Sequence, residues 1–236
     1  MTVTPTGMLL DQAPTPDPTD LVTRVRRSLR PRTRLVELGR RLRRSRLGTR
    51  TLHNLLVDVR FGGWCGGREE NPFAPGGAFP IQSIDYAILA RLHRWNGLAV
   101  APDDVLVDVG CGKGRVLNWW LSRRLPNRLI GLELVPDVAR ATSRRLQRFP
   151  NVEIRPGDAI AQLPAEGTFF FLYSPFDRAV MCRFRDALRS KVRRALALRV
   201  LYFNSRYVEV FREDPHWRIR TLRSGEAEPA ALITPA

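Results

Sequence analysis

The stretch "VLVDVGCGKGRVL", from Val105 to Leu117, limits the possible fold more than any other part of the chain. An apolar run ends in a carboxylate, Asp108. Glycines follow at alternate positions (Gly110, Gly112, Gly114), and an amphipathic segment then begins. The run reads as a buried strand and the segment after it as a helix. Glycines at such a joint let a ligand lie against the main chain, where the helix start offers free N–H groups and the positive end of its dipole. They also suit a tight turn needed only for close strand–helix packing. The dinucleotide pattern G-x-G-x-x-G fails, because its third glycine would fall at Arg115. The phosphate-loop pattern fails because no Ser or Thr follows Gly112-Lys113 at the required spacing.

Around this joint the pattern is regular. Strands are expected over Val105–Val109, Arg128–Glu133, Val152–Arg155, Thr168–Tyr173 and Arg199–Asn204. Helices are expected over Gln82–Trp95, Arg115–Arg124, Pro136–Arg148, Asp177–Leu196 and Ser205–Arg212. Alternation of this kind gives a parallel sheet covered by helices on both faces. Two closing strands, Trp217–Leu222 and Ala230–Thr234, have only the turn Ser224–Gly225 between them and form an antiparallel hairpin at one side of that sheet. The expected fold class is therefore α/β, a mostly parallel sheet preceded by a basic helical arm. Ligands of such sheets sit outside the carboxyl ends of the strands, where strand order reverses. Successive strand ends deliver Asp108, Glu133, Asp158 and the triplet Ser174-Pro175-Phe176 to that ridge. An acid in the place of Glu133 can accept two hydrogen bonds from a ribose diol.

At these residues the sequence resembles the class I S-adenosylmethionine-dependent methyltransferases, most specifically at "VDVGCGKGR" and over roughly Phe79 to the C-terminus. It is similar to a bacterial branch with a "VGCGKGR" turn and an "NPF"-type fourth motif, and distantly to the seven-strand lysine methyltransferases. The resemblance implies a Rossmann-like seven-strand sheet with its last strand reversed, and S-adenosyl-L-methionine as cofactor. It also implies that Gly110, Cys111, Gly112 and Gly114 line the methionine part, that Asp108 orders this loop and the amino group, and that Glu133, with Leu134 beside it, holds the ribose. Asp158 and Ala159 would border the adenine, and Gln82 would approach from the preceding loop. Tyr173 and Ser174 are the candidate catalytic positioners, and Pro175 and Phe176 would contact the acceptor. Ser174 stands where amine-methylating members often carry Asn or Asp, and a hydroxyl is a shorter orienting group. The acceptor is unidentified: a protein amine or a small metabolite, with RNA as the alternative. A non-catalytic module of the same fold would lose the acid at the ribose position, and Glu133 is present.

Upstream, residues 1–18 are Pro/Thr-rich and expected to be a disordered tail, residues 19–60 a basic helical arm, residues 61–80 a loop, and residues 81–236 the α/β domain. In the arm, Leu21, Val25 and Leu29 recur every four residues. Leu35, Leu38 and Leu42 mark a second helix ended by Gly48, and Leu52, Leu55, Leu56 and Val59 mark a third; these stripes suit either a membrane surface or packing on the domain, and the latter is the expectation. Residues 24–50 hold twelve arginines and one acid, Glu37, within a chain of net charge +16. Nucleic acid, an anionic membrane or an acidic partner would each suit such an arm. With 37 arginines against two lysines, the whole chain also has a general arginine bias. The loop 61–80 carries six glycines, three prolines and the aromatics Trp64, Phe73 and Phe79. It is either a tether pinned by those rings or a lid facing the substrate. Three scattered cysteines argue against a disulfide framework, and Cys65, Cys111 and Cys182 share no metal-ligand spacing with the three histidines, so no metal is expected. No secretory signal or transmembrane run is read, and a cytoplasmic location is the expectation. Lys113 and Arg115 at the helix start read as solvated side chains.

Overall fold

The computed structural model describes residues 46–191 and 198–236. The tail 1–18, the two helices expected before residue 46, and the end of the helix expected to reach Leu196 lie outside the described residues. From Arg50 onward the chain forms one compact unit, Arg50–Ala236. Its elements are α1 (Arg46–Arg60), β1 (Arg68–Glu69), β2 (Ile81–Gln82), α2 (Tyr86–Asn96), β3 (Val105–Val109), α3 (Arg115–Ser122), β4 (Arg128–Glu133), α4 (Pro136–Leu146), β5 (Val152–Pro156), β6 (Phe169–Tyr173), α5 (Arg178–Lys191), β7 (Arg199–Phe203), α6 (Glu209–Arg212), β8 (Trp217–Leu222) and β9 (Ala230–Pro235).

Seven strands form one sheet in the order β5-β4-β3-β6-β7-β9-β8. The first five are parallel, and β9 runs antiparallel to both β7 and β8. The expected α/β class and the reversed last strand are both present. The chain winds outward from β3 to β5, returns to β6 on the other side of β3, and so places the reversal of strand order at the β3–β6 pair.

The central strands are buried on both faces, and their side chains alternate between two cores. Val107, Ile130, Phe170, Leu172 and Val200 pack with Met181 and Phe184 of α5. Leu106, Leu129, Phe169, Phe171 and Leu201 pack with Leu89 and Leu92 of α2 and with Leu117 and Trp120 of α3. In β4, Gly131 lets Cys111 sit directly on the sheet: a Cβ there would come within 2.8 Å of its Sγ.

Four expectations need correction. Gly48 lies in the first turn of α1 and ends no helix. The helix expected from Gln82 begins at Tyr86, because Ile81–Gln82 instead pair antiparallel with Arg68–Glu69. Ser205–Arg212 yields only the single turn Glu209–Arg212. The largest departure is α1, whose apolar stripe does not face the domain. Leu52, Leu55, Leu56 and Val59 are 37%, 39%, 63% and 62% exposed, while Asn54 and Asp58 point inward.

The reason for this inverted face is Arg115. Far from being solvated, it is 4% exposed and lies against the Asp58 carboxylate at 2.6 Å. It sits between the rings of Trp64 and Tyr86. Asp58 also accepts from the Tyr86 hydroxyl at 2.6 Å and the Cys65 N–H at 3.0 Å. Asn118 donates to the Tyr86 hydroxyl and accepts from Arg145, whose other nitrogen donates to the Lys113 carbonyl at 2.6 Å. A buried guanidinium without a counter-charge costs several kcal/mol, and Asp58 faces inward to supply that charge. The helix therefore turns its acid inward. Replacing Asp58 by Ala is expected to lower the unfolding free energy by about 3–5 kcal/mol. Urea denaturation checks this, and a loss below about 1 kcal/mol would show that Arg115 does not depend on Asp58.

Candidate functional site

The turn Gly110–Gly114 leaves the end of β3 in left-handed backbone, with φ of 73° at Gly110 and 51° at Gly112. The N–H groups of Gly110 and Cys111 both donate to the Leu132 carbonyl at 2.9 Å. The Gly112 N–H donates to Oε2 of Glu133 at 2.8 Å, and Val135 N–H donates to Oε1 at the same distance. Glu133 thus ties the glycine turn to its own strand end with one lone pair on each oxygen. Thr142 of α4 holds the Gly112 carbonyl at 2.8 Å from the far side.

An open crevice of about 820 Å³ runs along these strand ends. Its floor and walls include Gly110, Glu133, Leu134, Asp158, Ala159, Tyr173, Ser174, Pro175 and Phe176. A smaller recess beside it is lined by Asp108, Gly110, Cys111, Gly112, Gln82 and Tyr173. Nearly all the residues singled out in the sequence therefore meet at one ridge. Gly114 is placed differently: a Cβ on it would lie 3.0 Å from Thr142 and Arg145 of α4, so it serves packing behind the turn. Cys111 contributes backbone, its thiol being buried on the sheet and pushed well up by that burial. Asp158 accepts from the N–H groups of Ile160 and Ala161 through Oδ1, which shapes the turn after β5.

The loop before α2 folds over this ridge. Phe79 N–H donates to the Pro175 carbonyl at 3.1 Å, and Asp177 N–H to the Gly77 carbonyl at 2.8 Å. Ala78 forms a bridge with Phe176, and Phe79 stacks on Tyr207 with centroids 6.4 Å apart. Ile81 reaches the turn so closely that a Cβ on Gly112 would be 3.0 Å from it. The alternative of a facing lid is the one this placement matches, with Asn71, Phe79, Ile81 and Gln82 lining the crevice. Of the three expected anchors Phe79 is the most covered; Trp64 and Phe73 are 49% and 42% exposed.

The electrostatics are unusual for a buried site. Asp108 and Glu133 are 3% and 4% exposed, and neither forms an ion pair among the described residues. Oδ2 of Asp108 is enclosed with no hydrogen-bond partner. Burial first, and the neighbouring Glu133 second, hold the Asp108 carboxyl well above the usual carboxylate range; burial raises Glu133 as well. Two adjacent carboxylates without a cation form a site for a positively charged group. Ser174 is also strained: its φ is 42°, and its Oγ is buried without a partner. The Tyr202 hydroxyl is near enough to feel Ser174, but no hydrogen bond of normal geometry joins them; burial pushes that phenol up to about 12. Among the described residues no group of His, Cys, Asp and Glu has the arrangement of a metal site. No described helix is long and apolar enough to cross a membrane.

Residues 106–198 match the family model of a methyltransferase domain. No curated protein sequence is significantly similar to the chain. Among solved structures, the mitomycin 7-O-methyltransferase MmcR is 15% identical, with a TM-score of 0.51 over 85% of this chain and 72% of that one. The N,N-8-amino-8-demethyl-D-riboflavin dimethyltransferase RosA of Streptomyces davawensis is 14% identical, with a TM-score of 0.50 over 64% of this chain and 56% of that one. An RNA methyltransferase of Salinibacter ruber is 20% identical, with a TM-score of 0.47 over 63% of this chain and 90% of that one. At such identities the likeness is one of fold.

S-adenosylmethionine is the cofactor of such a domain, and the residues present fit it. The molecule carries an ammonium and a sulfonium, which match the uncompensated pair Asp108 and Glu133. Its ribose diol matches the remaining lone pairs of Glu133, and the side-chain-free turn gives its methionine part close approach.

A carboxylate whose pKa the fold raises favours its protonated form. Its contribution to stability is present below about pH 4 and is lost as the pH rises through the raised value. Asp108→Asn is therefore expected to stabilise the ligand-free protein by about 1–3 kcal/mol at neutral pH, with the difference from wild type vanishing towards pH 4. Denaturation curves across that range check it; a variant less stable than wild type at pH 7 would show that Asp108 is paired.

Proposed function

We propose that the chain is an S-adenosylmethionine-dependent methyltransferase acting on a small acceptor that enters beneath the loop 71–82. The observation that carries this reading is the buried, unpaired Asp108 beside Glu133, under a turn free of side chains. In this reading Glu133 holds the ribose hydroxyls, the charge of the buried Asp108 carboxylate balances the ammonium group, and Asp158 and Ala159 flank the adenine. When bound, the cofactor supplies an electrophilic methyl group on sulfur.

The chain's own task is alignment and exclusion of water. Phe79 and Ile81 cover the strand ends with apolar surface, and Pro175 and Phe176 form the facing wall. Ser174 lines the crevice at the end of β6, and its hydroxyl, which forms no hydrogen bond of normal geometry, is the group that orients the acceptor once the side chain turns towards it. Tyr173 keeps its proton at neutral pH, because burial raises its phenol, so it acts as a donor or wall and not as a base. Of the crevice carboxylates, Glu133 is held by the turn and Asp158 by its own loop. The acceptor therefore arrives as a ready nucleophile, such as a free amine or an oxygen that is already ionised. The loop 71–82 over the crevice supports a small metabolite over a folded macromolecule as its carrier.

Binding measured by calorimetry tests the cofactor assignment. Glu133→Ala is expected to weaken S-adenosylmethionine binding by roughly a hundredfold, two charge-assisted hydrogen bonds being lost. Unchanged affinity in a folded Glu133→Ala protein would remove Glu133 from the ribose. Ser174→Ala is expected to lower kcat about tenfold or more while leaving cofactor affinity within about twofold. The opposite split would place Ser174 on the cofactor side of the crevice.

A further inference from the structure

The outward stripe of α1 has no role in the crevice or in the core. Leu52, Leu55, Leu56 and Val59 follow each other at helical spacing and form one continuous apolar face, with Leu56 and Val59 more than half exposed. Isolated exposed aliphatics are ordinary, but four on one helix face are an interaction surface. Arg50 of α1 pairs with Glu226 at 2.7 Å, and the exposed charge at the other end of the helix is basic. The one acid of α1, Asp58, is buried against Arg115, so the helix shows no exposed carboxylate. At its C-terminal end Arg60 and Arg148 are both exposed, and neither meets a carboxylate among the described residues; Arg148 instead donates to the Arg60 carbonyl at 2.7 Å. Beside the helix, Trp64 shares a surface hollow with Thr51 and Asn54 and leaves half of its ring in water. In the sequence, the stretch richest in arginine, residues 24–50, ends inside the first turns of α1.

We propose that this face of α1 is a docking surface for an anionic lipid bilayer. The aliphatic stripe enters the boundary between headgroups and acyl chains, and Arg60 and Arg148 at its C-terminal end pair with lipid phosphates. A phosphate surface alone, as on nucleic acid, gives four aliphatic side chains nothing to leave water for, and this favours lipid. The outward orientation follows from the buried Asp58–Arg115 pair, so the surface is fixed in the folded unit and does not wait for lipid to form. This inference does not rest on the methyltransferase reading.

The test is co-sedimentation of the full-length protein with vesicles of phosphatidylcholine alone or with about 30% phosphatidylglycerol. Wild type is expected to sediment with the anionic vesicles and not with the neutral ones. The double variant Leu56→Glu/Val59→Glu is expected to bind at least about tenfold more weakly, because two buried aliphatic side chains are lost and two acids face an anionic surface. Arg60→Glu/Arg148→Glu is expected to weaken binding with a smaller salt dependence than wild type. Unchanged circular dichroism and S-adenosylmethionine affinity in these variants show that the fold is intact. Any of three results overturns the proposal: no sedimentation of wild type with anionic vesicles, binding undiminished in Leu56→Glu/Val59→Glu, or a dimer in gel filtration that the same variant dissolves. Release from vesicles by RNA, with RNA affinity unaffected by the leucine and valine changes, would assign the basic charge to nucleic acid instead.

Discussion

The arrangement of the site depends on one constraint: two carboxylates at the tips of neighbouring parallel strands are buried together with no cation from the chain to balance them. The hydrogen bonds from Gly112 and Val135 keep the Glu133 carboxylate in place. Nothing comparable satisfies Oδ2 of Asp108. A fold that needed only a strand–helix joint would place an amide or an apolar residue there and be more stable for it. The cost is tolerable if a positively charged ligand completes the electrostatics, and this links the local strain to function.

A second buried ion pair, on the back of the turn, makes that front possible. Arg115 opens α3 directly after the glycines, where the helix dipole disfavours a cation. Asp58 from α1 offsets this, and Tyr86, Asn118 and Arg145 extend the network to α2, α3 and α4. The turn is held from below by this network and from above by Ile81 and Pro175. A turn held from both sides keeps its bare backbone in a fixed position, which is how a protein without an evident base contributes to a displacement reaction. The inward commitment of Asp58 also dictates which side of α1 faces solvent.

The central strands of the sheet were legible in the sequence because β3, β4, β6 and β7 are short apolar runs, and because helices of clear period follow β3, β4 and β6. The strand-end residues were legible for the same reason: register in a parallel sheet brings equivalent positions to one edge. What escaped was set by contacts distant in sequence. Nothing near Arg115 reveals that its partner lies at Asp58, so the arginine read as solvated and the stripe of α1 as the buried side. Gly114 shares the spacing of Gly110 and Gly112, yet it touches α4, since a spacing of two cannot say which neighbour each residue meets. The residues 61–80 read as a loop because strands of two residues, such as Arg68–Glu69 and Ile81–Gln82, are too short to carry a period.

The most direct test is the titration of the Asp108 carboxyl, followed by carbon-13 NMR on aspartate-labelled protein and assigned through Asp108→Asn. In the free protein the carboxyl is expected to titrate above the ordinary carboxylate range, and with S-adenosylmethionine bound to fall by more than about one pH unit, as the ligand's positive charge settles beside it. An ordinary value in the free protein, or a raised value that the ligand leaves unmoved, would contradict a cation-seeking site at these strand ends.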